Sequence, residues 1–124
     1  MNLESAIRTY LIAGATSAGN RIYELVLPGT ATMPAVTLQR ISNIGHSDIH
    51  VDYPRMQVSS WGSTPLQARQ LADEIEDLLY RYKGILSGIK VKRISKLPSI
   101  GVIHDREAGL IHIPVDYQIL YVKE

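Results

Sequence analysis

The sequence predicts an α+β domain in which an antiparallel or mixed sheet carries two helices packed on one face. Three observations lead there. Apolar residues recur every three to four positions at 3–14 and again at 64–83. They alternate with polar residues at 55–61 and 110–121. Apart from the second helix, the links between extended segments are too brief for a parallel crossover. A chain of 124 residues suffices for one such core, burying roughly 65% of the surface its extended form would expose, so 1–124 reads as a single domain.

Asn2 can cap a first helix in which Leu3, Ala6, Ile7, Tyr10 and Leu11 form one stripe, with Gly14 ending its strongest part. Residues 15–34 mix turn formers around Ile22, Tyr23, Leu25, Val26 and Leu27, which fits a short strand or a packed loop. AVTLQRIS at 35–42 reads as a strand with Val36 and Leu38 on one face and Thr37 and Gln39 on the other, although Ile41 breaks the alternation. In HSDIHVDYP at 46–54, polar residues fill every second position, which predicts a half-solvated strand or arm ended by Pro54. Met56 and Val58 then oppose Gln57, Ser59 and Trp61 up to Gly62, where the chain can turn.

Thr64 is placed to cap a second helix, with Pro65 at its first position and Gln67 reaching back to the cap's amide. Ala68, Leu71, Ala72, Ile75, Leu78, Leu79 and Tyr82 make its stripe; Gly84 is expected to end it, with Lys83 favourable at its C-terminal dipole. A strand IKVKRIS at 89–95, a turn near 96–98 and a short segment at 100–104 follow. The DREAG turn then joins a long strand from Leu110, along which Ile111, Ile113, Val115, Tyr117, Ile119 and Tyr121 share a face. Pro114 has no amide donor, so it calls for an edge position or an interrupted ladder.

The composition narrows the chemistry. Without cysteine there is no disulfide, thiolate metal site or cysteine nucleophile. A net charge of +1, from 13 basic and 12 acidic residues, gives little bulk attraction to nucleic acid or an anionic membrane. No apolar run approaches the roughly 20 residues needed to span a bilayer, and Glu4 and Arg8 interrupt the N-terminal apolar patch, which reads as a first helix and not as a signal peptide. His46, Asp48, His50 and Asp52 could share one strand face, but alternate side chains lie about 7 Å apart, too far to surround one ion without bending. His104, Asp105 and His112 lack an accompanying nucleophile or charge-stabilising group. No catalytic, metal or cofactor site is expected. The residues singled out for contact are His46, Asp48, His50, Asp52, Arg55 and Trp61 as a protein interface, Trp61 alternatively covering the helix–sheet corner. Lys90, Lys92, Arg93 and Lys96 make the clearest basic cluster, in which Lys90 and Lys92 share a strand face and, with Lys96, could meet phosphate or simply solvate a sheet edge.

The order of these pieces resembles the tail terminator, or tail completion, proteins of long-tailed phages and prophages. The resemblance runs through the first helix, NRIYELVLP at 20–28, MPAVTLQRIS at 33–42, RMQVSSWGSTPLQARQLADEIEDLL at 55–79 and HDREAGLIHIPVDYQILY at 104–121. It implies a non-enzymatic α/β subunit that forms a homo-oligomeric ring, commonly a hexamer, at the head-proximal end of the tail in the virion. Such a ring would assemble in the host cytoplasm, stop tube polymerisation and join the head. The implied partners are the tail tube protein and the head–tail connector, with non-specific contact to DNA in the lumen and no membrane. A connector or stopper protein, and a small nucleic-acid-binding or nuclease protein using the basic strand, are the alternative readings.

Overall fold

Each helix begins at the cap the sequence supplies. In a computed structural model, which describes residues 2–29, 31–42, 45–46, 51–97, 103–105 and 109–122, α1 spans Leu3–Ala13 and α2 spans Pro65–Leu79. The Asn2 Oδ1 accepts the Ser5 amide at 2.8 Å, and the Thr64 hydroxyl accepts the Gln67 amide at 3.1 Å. The return bond of the second cap differs from expectation: Gln67 Oε1 accepts the amide of Ser63, one residue before the cap, at 2.8 Å. The C-terminus of α2 differs as well. After Leu79 the chain leaves the helix, and Arg81 adopts a left-handed φ of 64° while donating its amide to the Ile94 carbonyl at 2.9 Å. Gly84 therefore opens a strand, and Lys83 lies beyond the helix dipole.

The strands are β1 (Ile22–Glu24), β2 (Ala35–Ser42), β3 (Gly45–His46), β4 (Val51–Asp52), β5 (Arg55–Gly62), β6 (Gly84–Leu86), β7 (Ile89–Lys96), β8 (Ile103–Asp105) and β9 (Leu110–Val122). β9 is the centre, with β5 and then β4 along one edge and β8 and then β7 along the other; β2 lies outside β5, β1 outside β2, and β6 outside β7. β1 runs parallel to β2 and the other pairs are antiparallel, so the sheet is mixed. α1 touches both β1 and β6, strands from the two margins, which requires the sheet to curl around the helices as a half-barrel.

Two prolines shape the register. Val51 and Asp52 pair with Val122 and Tyr121 in the same register that Arg55–Gly62 keep with Gln118–Ile111, so β4 and β5 are one strand interrupted at Pro54. The Pro54 carbonyl accepts the Ile119 amide at 3.1 Å, but proline has no N–H to return. Because that bond directs the Ile119 amide toward β4 and β5, the even positions of β9 bond to the other edge. Pro114 thus turns its missing donor toward the interval between β8 and β7, the interrupted ladder its chemistry demands. β2 and β3 follow β5 and β4 in turn, making a long hairpin with a bulge between Arg40 and Ser42; that extra residue is why Ile41 broke the alternation.

The core lies between the sheet's inner face and the helices. Leu3, Ala6, Ile7 and Leu11 of α1 and Ala68, Leu71, Ile75 and Leu79 of α2 meet Val36, Leu38, Met56, Val58, Val115, Tyr117 and Ile119, all buried. Tyr10 locks the helices together, its hydroxyl donating to the Leu78 carbonyl at 2.8 Å. The joint after β5 is tight: a Cβ on Gly62 would stand 2.8 Å from the backbone nitrogen of Ala68. Glycine is needed there for the close approach of α2's first turn, not for a left-handed backbone.

Candidate functional site

The outer face of the sheet, away from the helices, carries Trp61. It pairs with Ala35 on one side and His112 on the other, stacks on the His112 ring at 4.1 Å and 8°, and donates its indole N–H to the Thr37 hydroxyl at 3.0 Å. The strand's alternation points Ser60 and Gly62 inward, so Trp61 does not cover the corner with α2. It instead lines an apolar groove of about 440 Å³ with Leu25, Val26, Pro28, Met33 and Leu110. Leu25 and Val26 are 63% and 66% exposed, large values for aliphatic side chains side by side. The sequence signal for them was the apolar run LVLP beside turn-forming residues, read there as a strand or packed loop.

Arg55, also on the outer face, finds its acid within the same subunit. Its Nε donates to Asp116 Oδ2 at 2.7 Å, its Nη2 contacts the same oxygen, and Gln57 donates to Oδ1 at 3.3 Å. The Asp116 side chain is 10% exposed and the Arg55 side chain 44%, so the arginine is only partly covered.

The alternating polar segment is divided. Asp48 and His50 lie outside the described residues, and of His46 the structure describes only its strand position, opposite Val51. Asp52 turns inward and is 3% exposed, where the Tyr121 hydroxyl donates to its Oδ2 at 3.3 Å. Nearby, Arg40 bonds Glu4 of α1 through Nε at 2.8 Å, so a polar cluster closes the core beneath the hairpin. Burial raises the Tyr121 pKa, an effect that the Arg40 cation opposes and the Asp52 carboxylate reinforces. Among the described residues, no three His, Asp or Glu side chains are grouped as metal ligands. His104 and His112 stand opposite Ile111 and Ile103, so the two histidine positions alternate between faces of the sheet.

The basic strand is split by a bulge between Val91 and Arg93. Val91 and Ile94 are buried three positions apart, leaving Lys92 and Arg93 consecutively exposed. Lys90 and Lys92 are exposed on the side away from Val91, whereas Lys96, opposite Tyr117, sits on the helix side and pairs with Glu76 of α2. Sequence reading left Arg81 and Lys83 out of this cluster, because they were assigned to a helix that ends earlier, and kept Arg93 in the cluster but off the face of Lys90 and Lys92, on the assumption of unbroken alternation. None of the described helices is long and apolar enough to cross a membrane.

The profile of the family described as "Tail completion protein gp17" matches residues 5–122, from the first turn of α1 to the end of β9. No curated protein matches the chain in sequence. Among solved structures, a chain of the "Virion of native gene transfer agent (GTA) particle" superposes with a TM-score of 0.78 at 20% identity, covering 97% of this chain and 94% of that one. At that identity the likeness establishes the fold.

Proposed function

The chain belongs to the tail completion protein gp17 family, and on that footing we propose that its copies close into a ring, commonly of six, around the head-proximal end of the tail tube. Membership assigns a structural role in completing the tail as part of the virion, with no reaction to catalyse. The observation that carries the reading is the extent of the match, which reaches every described helix and strand, from the first turn of α1 to the end of β9.

Termination needs unlike surfaces on the two ends of such a ring. One must complement the last ring of tube protein, and the other must lack the surface that recruits the next, offering a fit for the head–tail connector instead. Two regions of the subunit suit these contacts. The Trp61 groove with exposed Leu25 and Val26 offers an aromatic anchor in an apolar setting, and Arg55 at its distance along the same face presents a partly exposed side chain. The segment with His46, Asp48 and His50 is the second, proposed as a contact toward a neighbouring subunit or the tube; Asp52, turned inward against Tyr121, is not part of that surface. Ring symmetry would repeat Lys90 and Lys92 around the assembly, where they would meet DNA without reading sequence, while Lys96 is held by Glu76.

A connector or stopper with the same shape would be a head component. Sedimentation of the protein with head-free tails and, separately, with DNA-filled heads lacking tails distinguishes them. A terminator co-sediments with the tails; recovery with the heads alone would replace this reading by the connector one.

A further inference from the structure

The geometry points to a phosphate-binding cleft at the β7 bulge, formed by Arg81, Lys83, Lys92 and Arg93 and suited to the backbone of a nucleic acid. Together with Tyr80 and Lys96, these four line a shallow cavity of about 460 Å³. It deepens the proposed lumen contact by giving it a site, yet it belongs to a single subunit, so its test does not depend on ring closure.

Two local departures from regular structure bring the cations together. The first is Arg81, whose left-handed φ of 64° is unusual for a residue with a long side chain and is held by the bond from its amide to the Ile94 carbonyl. That bond fastens the chain after α2 to the middle of β7, and the Arg81 guanidinium lies 5.2 Å from the centre of the Tyr80 ring, which braces it. The second is the bulge. Without it Lys92 and Arg93 would point to opposite faces; with it both are exposed in succession along the same cavity.

The charges are also uncompensated. Lys96 is paired with Glu76, but none of the described carboxylates forms an ion pair with Arg81, Lys83, Lys92 or Arg93. In a chain whose net charge is +1, four cations with no ion pair among the described residues, gathered in one concavity, make a local field that the whole-molecule balance conceals. Two guanidinium forks with two ammonium groups suit the oxygens of adjacent phosphates, since the forks donate in pairs and the lysines supply point charge. Contacts to the phosphate backbone carry no sequence information, so binding through this cleft would be independent of sequence.

The test is titration of the full-length protein against a fluorescein-labelled 20-base-pair duplex at 50, 100 and 200 mM NaCl, with unlabelled pyrophosphate as competitor. Lys92→Gln/Arg93→Gln removes two cleft charges at exposed positions; Arg69→Glu makes the same change in net charge at an exposed position outside the cleft. Circular dichroism verifies that both variants are folded. The expected result is a tenfold or greater loss of duplex affinity in the cleft variant, a change under threefold in the control, and a salt slope lowered by about 0.9 for each phosphate contact removed. Pyrophosphate binding tighter than the duplex, and lost in the cleft variant, would keep the phosphate site and overturn its assignment to nucleic acid. Equal losses in the two variants, or no duplex binding at 50 mM NaCl, would overturn the site.

Discussion

Replacing Gly62 by alanine tests how the strand-to-helix joint is built. The added Cβ would lie 2.8 Å from the Ala68 nitrogen and 3.2 Å from Gln67 Cβ and Oε1, with backbone on one side and the capping side chain on the other. Neither can yield freely, because the Ala68 amide bonds to the Thr64 carbonyl at 3.1 Å and Gln67 Oε1 holds the Ser63 amide. Overpacking of this kind costs about 1–3 kcal/mol. Alanine also restricts the unfolded chain, which returns about 0.4–1 kcal/mol, leaving a net loss near 1–2 kcal/mol. For a domain of this size that is a fall in Tm of roughly 3–8 °C. Urea denaturation followed by far-UV circular dichroism measures it, with Gly29→Ala as the control, since no atom lies within 4 Å of a Cβ there. Gly62→Ala as stable as the parent would refute the close-approach argument and leave the glycine a mere turn residue.

Three further outcomes follow from the same contacts. Thr64→Ala should lower stability by about 1 kcal/mol in urea melts, with Thr64→Ser nearly neutral, because the hydroxyl satisfies the Gln67 amide. Arg55→Ala should cost about 1 kcal/mol, less in 0.5 M NaCl, by leaving the nearly buried Asp116 carboxylate with only Gln57 as a side-chain partner among the described residues; the partial exposure of the arginine side chain limits the loss. Tyr117 has its pKa pushed up from about 10, chiefly by burial and then by Glu76 and Asp73. Its neutral form is therefore favoured by folding, with full stability below pH 10 and a loss of up to about 1.4 kcal/mol per pH unit above it. Tyr117→Phe should flatten that alkaline decline relative to the parent between pH 9 and 11; parallel declines would show that Tyr117 does not drive it.

The helices were legible because period, cap and stripe agreed: Leu3, Ala6, Ile7 and Leu11, and Ala68, Leu71, Ile75 and Leu79, are buried where their spacing put them. The mixed sheet was legible from alternation and short links. What escaped the sequence depended on single-residue departures from those periods. The three-residue step from Val91 to Ile94 was the visible trace of the bulge that regroups the cations. The early stop of α2 depends on Arg81 reaching Ile94, a contact between segments that no local pattern encodes. Trp61 was correctly set opposite Met56 and Val58, but its place in a groove with Leu25 and Val26 required knowing that the loop after β1 returns along the outer face. Asp52 illustrates the reverse: alternation put it with the solvated residues, while the uninterrupted register with β9 carries it inward to Tyr121.

The most direct trial of the structural role is electron microscopy of head-free tails assembled with and without this chain. With it, tubes of uniform length should end in a ring at one end only; without it, the ring should be missing and lengths should spread. Identical length distributions and identical bare ends in the two preparations would contradict a tube-capping protein.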